Sequence, residues 1–202
     1  MKLLWLAATA SLAIGCTQET TGARIDRSGN YFPETFSGPV TLRLANVEVL
    51  AEAVLTKDGS AYALAIQRDG VTLEEEVYKV DTKGVSAVQL GTGEGLDPPL
   101  PLLALPMSIG EEFRWTGDVI IGNTKIPAEA TISTERSRPD LPTGPVEAVH
   151  VVVMLRMMDG TPNEARRRLD FWFADGLGPI KRDYGNQVRE PRAPSTPSTL
   201  GE

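Results

Sequence analysis

Residues 57–71 read KDGSAYALAIQRDGV, and this stretch decides the fold. The pairs Asp58-Gly59 and Asp69-Gly70 bracket it. Asp-Gly supplies the positive φ angles that two-residue hairpin turns require. Between the pairs, Tyr62, Leu64 and Ile66 alternate with small or polar residues, the period of a strand with one buried face. A turn, one strand and a second turn at this spacing predict an antiparallel meander.

The same pattern extends in both directions. A third pair, Asp159-Gly160, follows Val149, Val151, Val153, Leu155 and Met157 and precedes Leu169, Phe171 and Phe173. Those two alternating runs predict a long hairpin. Ala128, Ala130 and Ile132 mark a weaker strand between Lys125 and Thr134. Upstream, Val40, Leu42 and Leu44 lead with period two into residues 47–55. There Val47, Leu50, Ala51, Val54 and Leu55 match helical spacing, and Val47, Val49, Ala51, Ala53 and Leu55 match alternation. The lead-in favours a strand, with a short helix as the alternative. With 19 glycines and 15 prolines suiting many loops, the expected fold is mainly β. It is an antiparallel curved sheet of about eight to ten strands, as a half-barrel or open barrel.

Composition narrows the chemistry. The 202 residues suit one domain able to bury its own core. One cysteine excludes an intrachain disulfide, a CxxC pair and a zinc cluster. A net charge of −7 argues against nucleic acid, which needs a basic face. With one histidine, a metal would depend on carboxylate oxygens, and no Asp-x-Asp-x-Asp spacing supplies them. No metal and no cofactor is expected.

The cysteine is informative by position. Met1-Lys2 is a short positive start, and Leu3 to Ile14 is a mostly apolar run. That run makes a signal core but is too short to cross a bilayer of about 30 Å as a helix. Ala13-Ile14-Gly15-Cys16 follows and resembles the lipobox of bacterial lipoproteins, with Ala13 in place of the usual leucine and Leu12 one position upstream. The resemblance implies that residues 1–15 are a signal peptide and that acylated Cys16 anchors the chain in a membrane of the cell envelope. Thr17, where aspartate marks inner-membrane retention, favours the outer membrane facing the periplasm. The alternative is an ordinary secretory signal followed by a chance cysteine. Residues 16–30 read as a polar tether, 31–186 as the β-rich domain, and 187–202, with three prolines, as a disordered tail.

Two further segments carry a second resemblance. One is Pro98-Pro99-Leu100-Pro101-Leu102-Leu103-Ala104-Leu105-Pro106, followed by Gly110, Phe113-Arg114-Trp115 and Gly117. The other is Trp172-Phe173-Ala174-Asp175-Gly176-Leu177-Gly178-Pro179-Ile180-Lys181. Together they resemble a group of secreted bacterial β-rich lipoproteins with a terminal W-[FY]-A-x-G-[VL]-G-x-[VI]-K element. That group is similar to half-barrel envelope carriers of the LolA/LolB type. The resemblance implies a fold and says almost nothing of activity.

Candidate sites can be weighed residue by residue. Gly176 and Gly178 lack the following helix that a phosphate loop needs, and read as a turn between strands. His150 faces away from the apolar stripe of its strand and shows no nucleophile partner, so it reads as an ordinary half-exposed histidine. In Glu74-Glu75-Glu76, alternation puts Glu74 and Glu76 on one face. That is either an acidic contact or acid pair, or, as expected here, a solvated edge. Arg166-Arg167-Arg168 could meet anionic headgroups, while Glu164 and Asp170 beside it favour a solvated, self-paired patch. Residues 96–107 combine four prolines with large apolar side chains and read as an irregular lid. The favoured reading is that the lid closes the core; the alternative is that Leu100, Leu102, Leu103, Leu105 and Met107 line a hydrophobic ligand site beneath it.

The expected function is therefore that of a membrane-anchored envelope lipoprotein, without enzymatic activity, that binds a lipid or other hydrophobic molecule. The alternative is a module that binds another envelope protein. An envelope hydrolase is disfavoured, since no nucleophile–base arrangement is visible.

Overall fold

The structure is a computed structural model describing residues 24–28, 31–33, 35–44, 47–91, 93–158, 160, 163–185 and 188–191. Every described element is a strand. After the short β1 (Arg24–Ile25) the meander runs through β2 (Phe36–Leu44), β3 (Val47–Asp58), β4 (Ala61–Arg68), β5 (Val71–Asp81), β6 (Gly84–Leu90) and β7 (Glu94–Ala104). A two-residue β8 (Met107–Ser108) precedes β9 (Glu112–Ile121) and β10 (Thr124–Ser137). A small ribbon, β11 (Asp140–Leu141) with β12 (Gly144–Pro145), leads to β13 (Ala148–Met157), β14 (Asn163–Ala174), β15 (Gly178–Asp183) and β16 (Val188–Pro191).

The turns follow the chemistry of residues 57–71. Arg68 pairs with Val71 across Asp69 and Gly70, whose φ angles of 52° and 77° are both positive. That is the twist a two-residue hairpin favours. Asp58 pairs with Ala61 across Gly59 and Ser60, and here Gly59 alone has a positive φ, of 61°. Gly160 keeps a positive φ of 78°, while Asp159 lies outside the described residues. Residues 47–58 are strand throughout, which settles the ambiguous stretch.

The sheet closes. Each barrel strand pairs antiparallel with the next in sequence, from β2 to β7 and then β9, β10, β13, β14 and β15, and β15 returns to pair with β2. That makes an eleven-stranded closed barrel, and the half-barrel of eight to ten strands is corrected. An odd number of up-and-down strands must bring the first and last together in parallel, and Lys181–Asp183 lie parallel to Thr41–Arg43.

The correction has one main physical source. Residues 96–107, expected as an irregular lid, are largely wall. Gly95–Asp97 pair with Ile120–Asp118 of β9, and Leu100–Ala104 pair with β6. Pro98 and Pro99 fall in a bulge that interrupts the β6 ladder between Gly95 and Leu100, where no ladder needs their missing N–H groups. Trp115 closes the seam there, its Nε1 donating to the Pro98 carbonyl at 3.0 Å. A Cβ on Gly117 would sit 2.6 Å from the Asp97 carbonyl oxygen and 2.5 Å from the Trp115 ring, so only glycine fits.

The alternating stripes face inward and form one core. Tyr62, Leu64 and Ile66, the odd residues from Val149 to Met157, and Leu169, Phe171 and Phe173 are all buried. Phe32 enters one mouth and packs against Tyr62, Tyr78 and Phe173. At that same end β1 pairs with β8 and Ile25 is buried, so ordered structure begins inside the segment read as a tether. At the opposite end β16 pairs with Asn163–Arg166, beyond the position read as the start of the tail.

Candidate functional site

The inward stripe of the barrel holds more than apolar residues. β5 points Glu76 and Tyr78 inward; near the end of β15, Arg182 lies across from inward Phe171; Tyr184 follows. Arg182 and Glu76 are completely buried. The Arg182 Nε lies 3.3 and 3.2 Å from the two Glu76 oxygens, and its other nitrogens donate to the Tyr78 hydroxyl and the Lys181 carbonyl at 3.0 Å each. The Tyr78 and Tyr184 hydroxyls also donate to Glu76. The guanidinium rests 4.9 and 4.8 Å from the ring centres of Phe171 and Phe173. Burial opposes its charge, but Glu76 and the two tyrosines outweigh that and hold the guanidinium firmly protonated. Burial, foremost, pushes both tyrosine hydroxyls well above the usual phenol range, so they remain donors.

Glu74, one turn of the pleat nearer the open mouth, points the same way. Arg167 is beside it, bonded to Glu94 at 2.9 Å and to the Tyr184 carbonyl at 2.9 Å. Oε2 of Glu74 is buried and unpartnered. Burial, then repulsion from Glu76, pushes its carboxyl upward. The expected solvated edge is therefore corrected: Glu75 is exposed, while Glu74 and Glu76 face the lumen. Arg166-Arg167-Arg168 splits likewise, the middle residue inward and its neighbours outward.

A second cluster sits on the outer wall. His150 on β13 lies across from Glu135 on β10 and Trp172 on β14. Its Nδ1 is 2.7 Å from Glu135 and its Nε2 is 2.7 Å from Asp170. The ring stacks on Trp172 with centroids 4.2 Å apart and 4° between planes. Asp170 also accepts two bonds from Arg168 at 2.8 Å each, and Lys181 sits 5.5 Å from the Trp172 ring centre. His150 is only 6% exposed, so the expected half-exposed residue is corrected. Burial opposes its charge, yet the hydrogen bonds and charges of Asp170 and Glu135 prevail and raise its pKa above 6.5. Asp170 is held below the usual carboxylate range, because bonds to His150 and Arg168 outweigh its burial. With a carboxylate on each ring nitrogen, the imidazole offers no lone pair to a substrate.

Beside this cluster the outer wall forms a trough of about 430 Å³ across β9, β10, β13 and β14. Arg114, Arg156 and Arg166 stand around it, with Thr116, Thr131 and Met154 between them. Glu129, also on the trough, bonds Arg156 at 2.8 Å.

The proposed ligand loop fares differently. Leu100, Leu102, Leu103 and Met107 are buried, and Leu105 is partly buried against the same core. None of the five lines the trough or the smaller groove around His150. Cys16 lies outside the described residues. No group of three or more potential metal-ligating side chains occurs among the described residues.

Alternation could not have revealed Arg182, since the bulge opposite Trp172 and Phe173 breaks its register with Ile180, which packs with Ala148, Ala174 and Trp172 instead. The trough could not be read that way, because its arginines come from three strands whose neighbours only the closed barrel defines. Comparison with family models, with curated proteins and with solved structures gives no match.

Proposed function

We propose that this chain is a lipid-anchored protein of the bacterial envelope that acts by binding another envelope protein rather than by catalysis. The observation that carries the reading is the polarity of the barrel. Its inward stripe is a filled core, and β9–β15 present charged side chains outward. A membrane-spanning barrel has the opposite arrangement, an apolar band facing lipid, and a carrier needs an open apolar lumen. Here the apolar side chains of residues 96–107 are spent on the core. The position of β1 fits an anchor: eight residues after Cys16, the chain docks at one mouth of the barrel and leaves the other end directed away.

Labelled palmitate should enter the wild type and not the Cys16→Ala variant; equal labelling would remove the anchor. Native mass spectrometry of the Cys16→Ala protein should show no co-purifying lipid. A stoichiometric bound lipid would restore the hydrophobic-ligand reading. In crosslinked envelopes, one protein partner should recur with the wild type.

A further inference from the structure

The mouth where β1 docks holds a vestibule of about 240 Å³ with an apolar floor of Ile25, Ile109 and Val149. Four charged residues stand around it, Arg24, Arg136, Glu147 and Asp175, with Tyr31 among them. Arg24 is paired with Asp26 at 2.7 Å, and Glu147 with Arg138 at 3.6 Å. Among the described residues, Arg136 and Asp175 make no hydrogen bond or ion pair. Ala23 before Arg24, and Gly29 and Asn30 before Tyr31, carry no charge. We infer that this vestibule binds the headgroup of a phosphoethanolamine lipid, phosphate to Arg136 and ammonium to Asp175. The inference rests on the proposed function only in taking the mouth beside the anchor to face a membrane.

Register separates the two charges. Arg136 pairs with Val149, and Val149 with Phe173, two residues before Asp175. Two strand intervals are about 10 Å, so the side chains stand apart across the vestibule. Tyr31 senses both: burial, foremost, and Asp175 push its hydroxyl up, and Arg136 draws it down. The hydroxyl therefore stays protonated and can donate to a phosphate oxygen beside Arg136. Guanidinium grips phosphate through parallel N–H donors. A primary ammonium gives the Asp175 carboxylate the N–H donors that a trimethylated one lacks. Leu177, 45% exposed on the same turn as Asp175, offers the acyl region an apolar contact.

Two other ligands fit less well. An anionic headgroup or inorganic phosphate would satisfy Arg136 and be repelled by Asp175. A free zwitterion offers the same two charges but leaves Leu177 without a contact. One such grip between exposed charges is weak by itself. It gains from the tether, which holds the mouth at high effective concentration beside the bilayer. No lipid should therefore co-purify with the Cys16→Ala protein.

The test uses the full chain carrying Cys16→Ala, isotope-labelled and titrated with dihexanoyl phosphatidylethanolamine below its micellar concentration. Resonances of Tyr31, Arg136 and Leu177 should shift together and saturate. Dihexanoyl phosphatidylcholine, equal in net charge, should bind about threefold more weakly at these residues. Asp175→Asn should abolish that preference while the shifts at Tyr31 persist, which a misfolded variant would not show. Arg136→Gln should weaken both lipids by about threefold or more. Equal binding of the two lipids by the parent protein, or a preference that survives Asp175→Asn, would overturn the inference. So would free O-phosphoethanolamine binding as tightly as the lipid, or dihexanoyl phosphatidylglycerol binding more tightly. Palmitate labelling of Cys16 reads the anchor separately. Absence of the lipid preference with labelling intact refutes the vestibule alone; the preference without labelling refutes the anchor alone.

Discussion

The barrel contains two ion clusters built from similar parts and placed in opposite surroundings. Inside, Arg182 and Glu76 form a pair with no exposure, completed by two tyrosines. Outside, His150 and Asp170 are covered, but their partners Glu135 and Arg168 reach water, with side chains 65% and 57% exposed. The inner cluster cannot exchange a lost partner for solvent. The outer one can, through the exposed members that surround it. Location, more than the number of hydrogen bonds, should therefore decide what each cluster contributes.

The largest expected effect is inside. Arg182→Met leaves Glu76 buried without its cation and should cost about 3–5 kcal/mol in chemical denaturation. Replacing both partners, as Glu76→Met with Arg182→Met, should recover most of that loss, since a buried ion pair stabilises little relative to well-packed apolar residues. A double variant as unstable as the single one would mean that the tyrosines, once stripped of Glu76, dominate the cost.

The outer cluster should respond to pH instead. His150 has a folded pKa above its unfolded value of 6.5, so its contribution is complete below pH 6.5 and disappears as pH rises through the folded value. Asp170 has the opposite sign: its contribution is present above 3.8 and is lost as pH falls through its lower folded value. The difference in stability between wild type and His150→Gln should thus be largest between about pH 4 and 6.5, on the order of 1–2 kcal/mol, and shrink at alkaline pH. The single histidine gives one imidazole resonance. Its titration midpoint should lie above 6.5 and fall in Asp170→Asn. A flat difference across pH would show that stacking on Trp172, not charge, holds the ring.

The two clusters also differ in how far they could be read beforehand. Turn chemistry and period-two stripes placed most strands, because Asp-Gly pairs and alternating Val, Leu and Phe act locally. The proline-rich β7 was missed because its prolines forbid a continuous ladder, and only a strand interrupted by a bulge can use them. His150 drew attention as a lone imidazole, but burial on the outward face depends on Glu135, Asp170 and Trp172 arriving from two other strands. Glu74 and Glu76 shared a face by alternation, yet whether that face was lumen or water required knowing where Arg182 and Tyr184 would lie.

Glu74 offers the smallest and sharpest test, because it is the one member of the inner set with a buried oxygen lacking a partner. Its carboxyl is pushed up by burial and then by Glu76, so ionising it opposes folding. For an acid with a raised folded pKa, stability falls as pH climbs through 4.5 toward the folded value. Glu74→Gln keeps the shape and removes the charge. The variant should be more stable than wild type at pH 7, by about 1 kcal/mol or less, and indistinguishable from it near pH 4. Destabilisation at pH 7 would mean instead that attraction to Arg167 exceeds the repulsion from Glu76. The mouth of the barrel would then behave like the compensated outer wall, and the division between inside and outside would begin one layer deeper, at Glu76 itself.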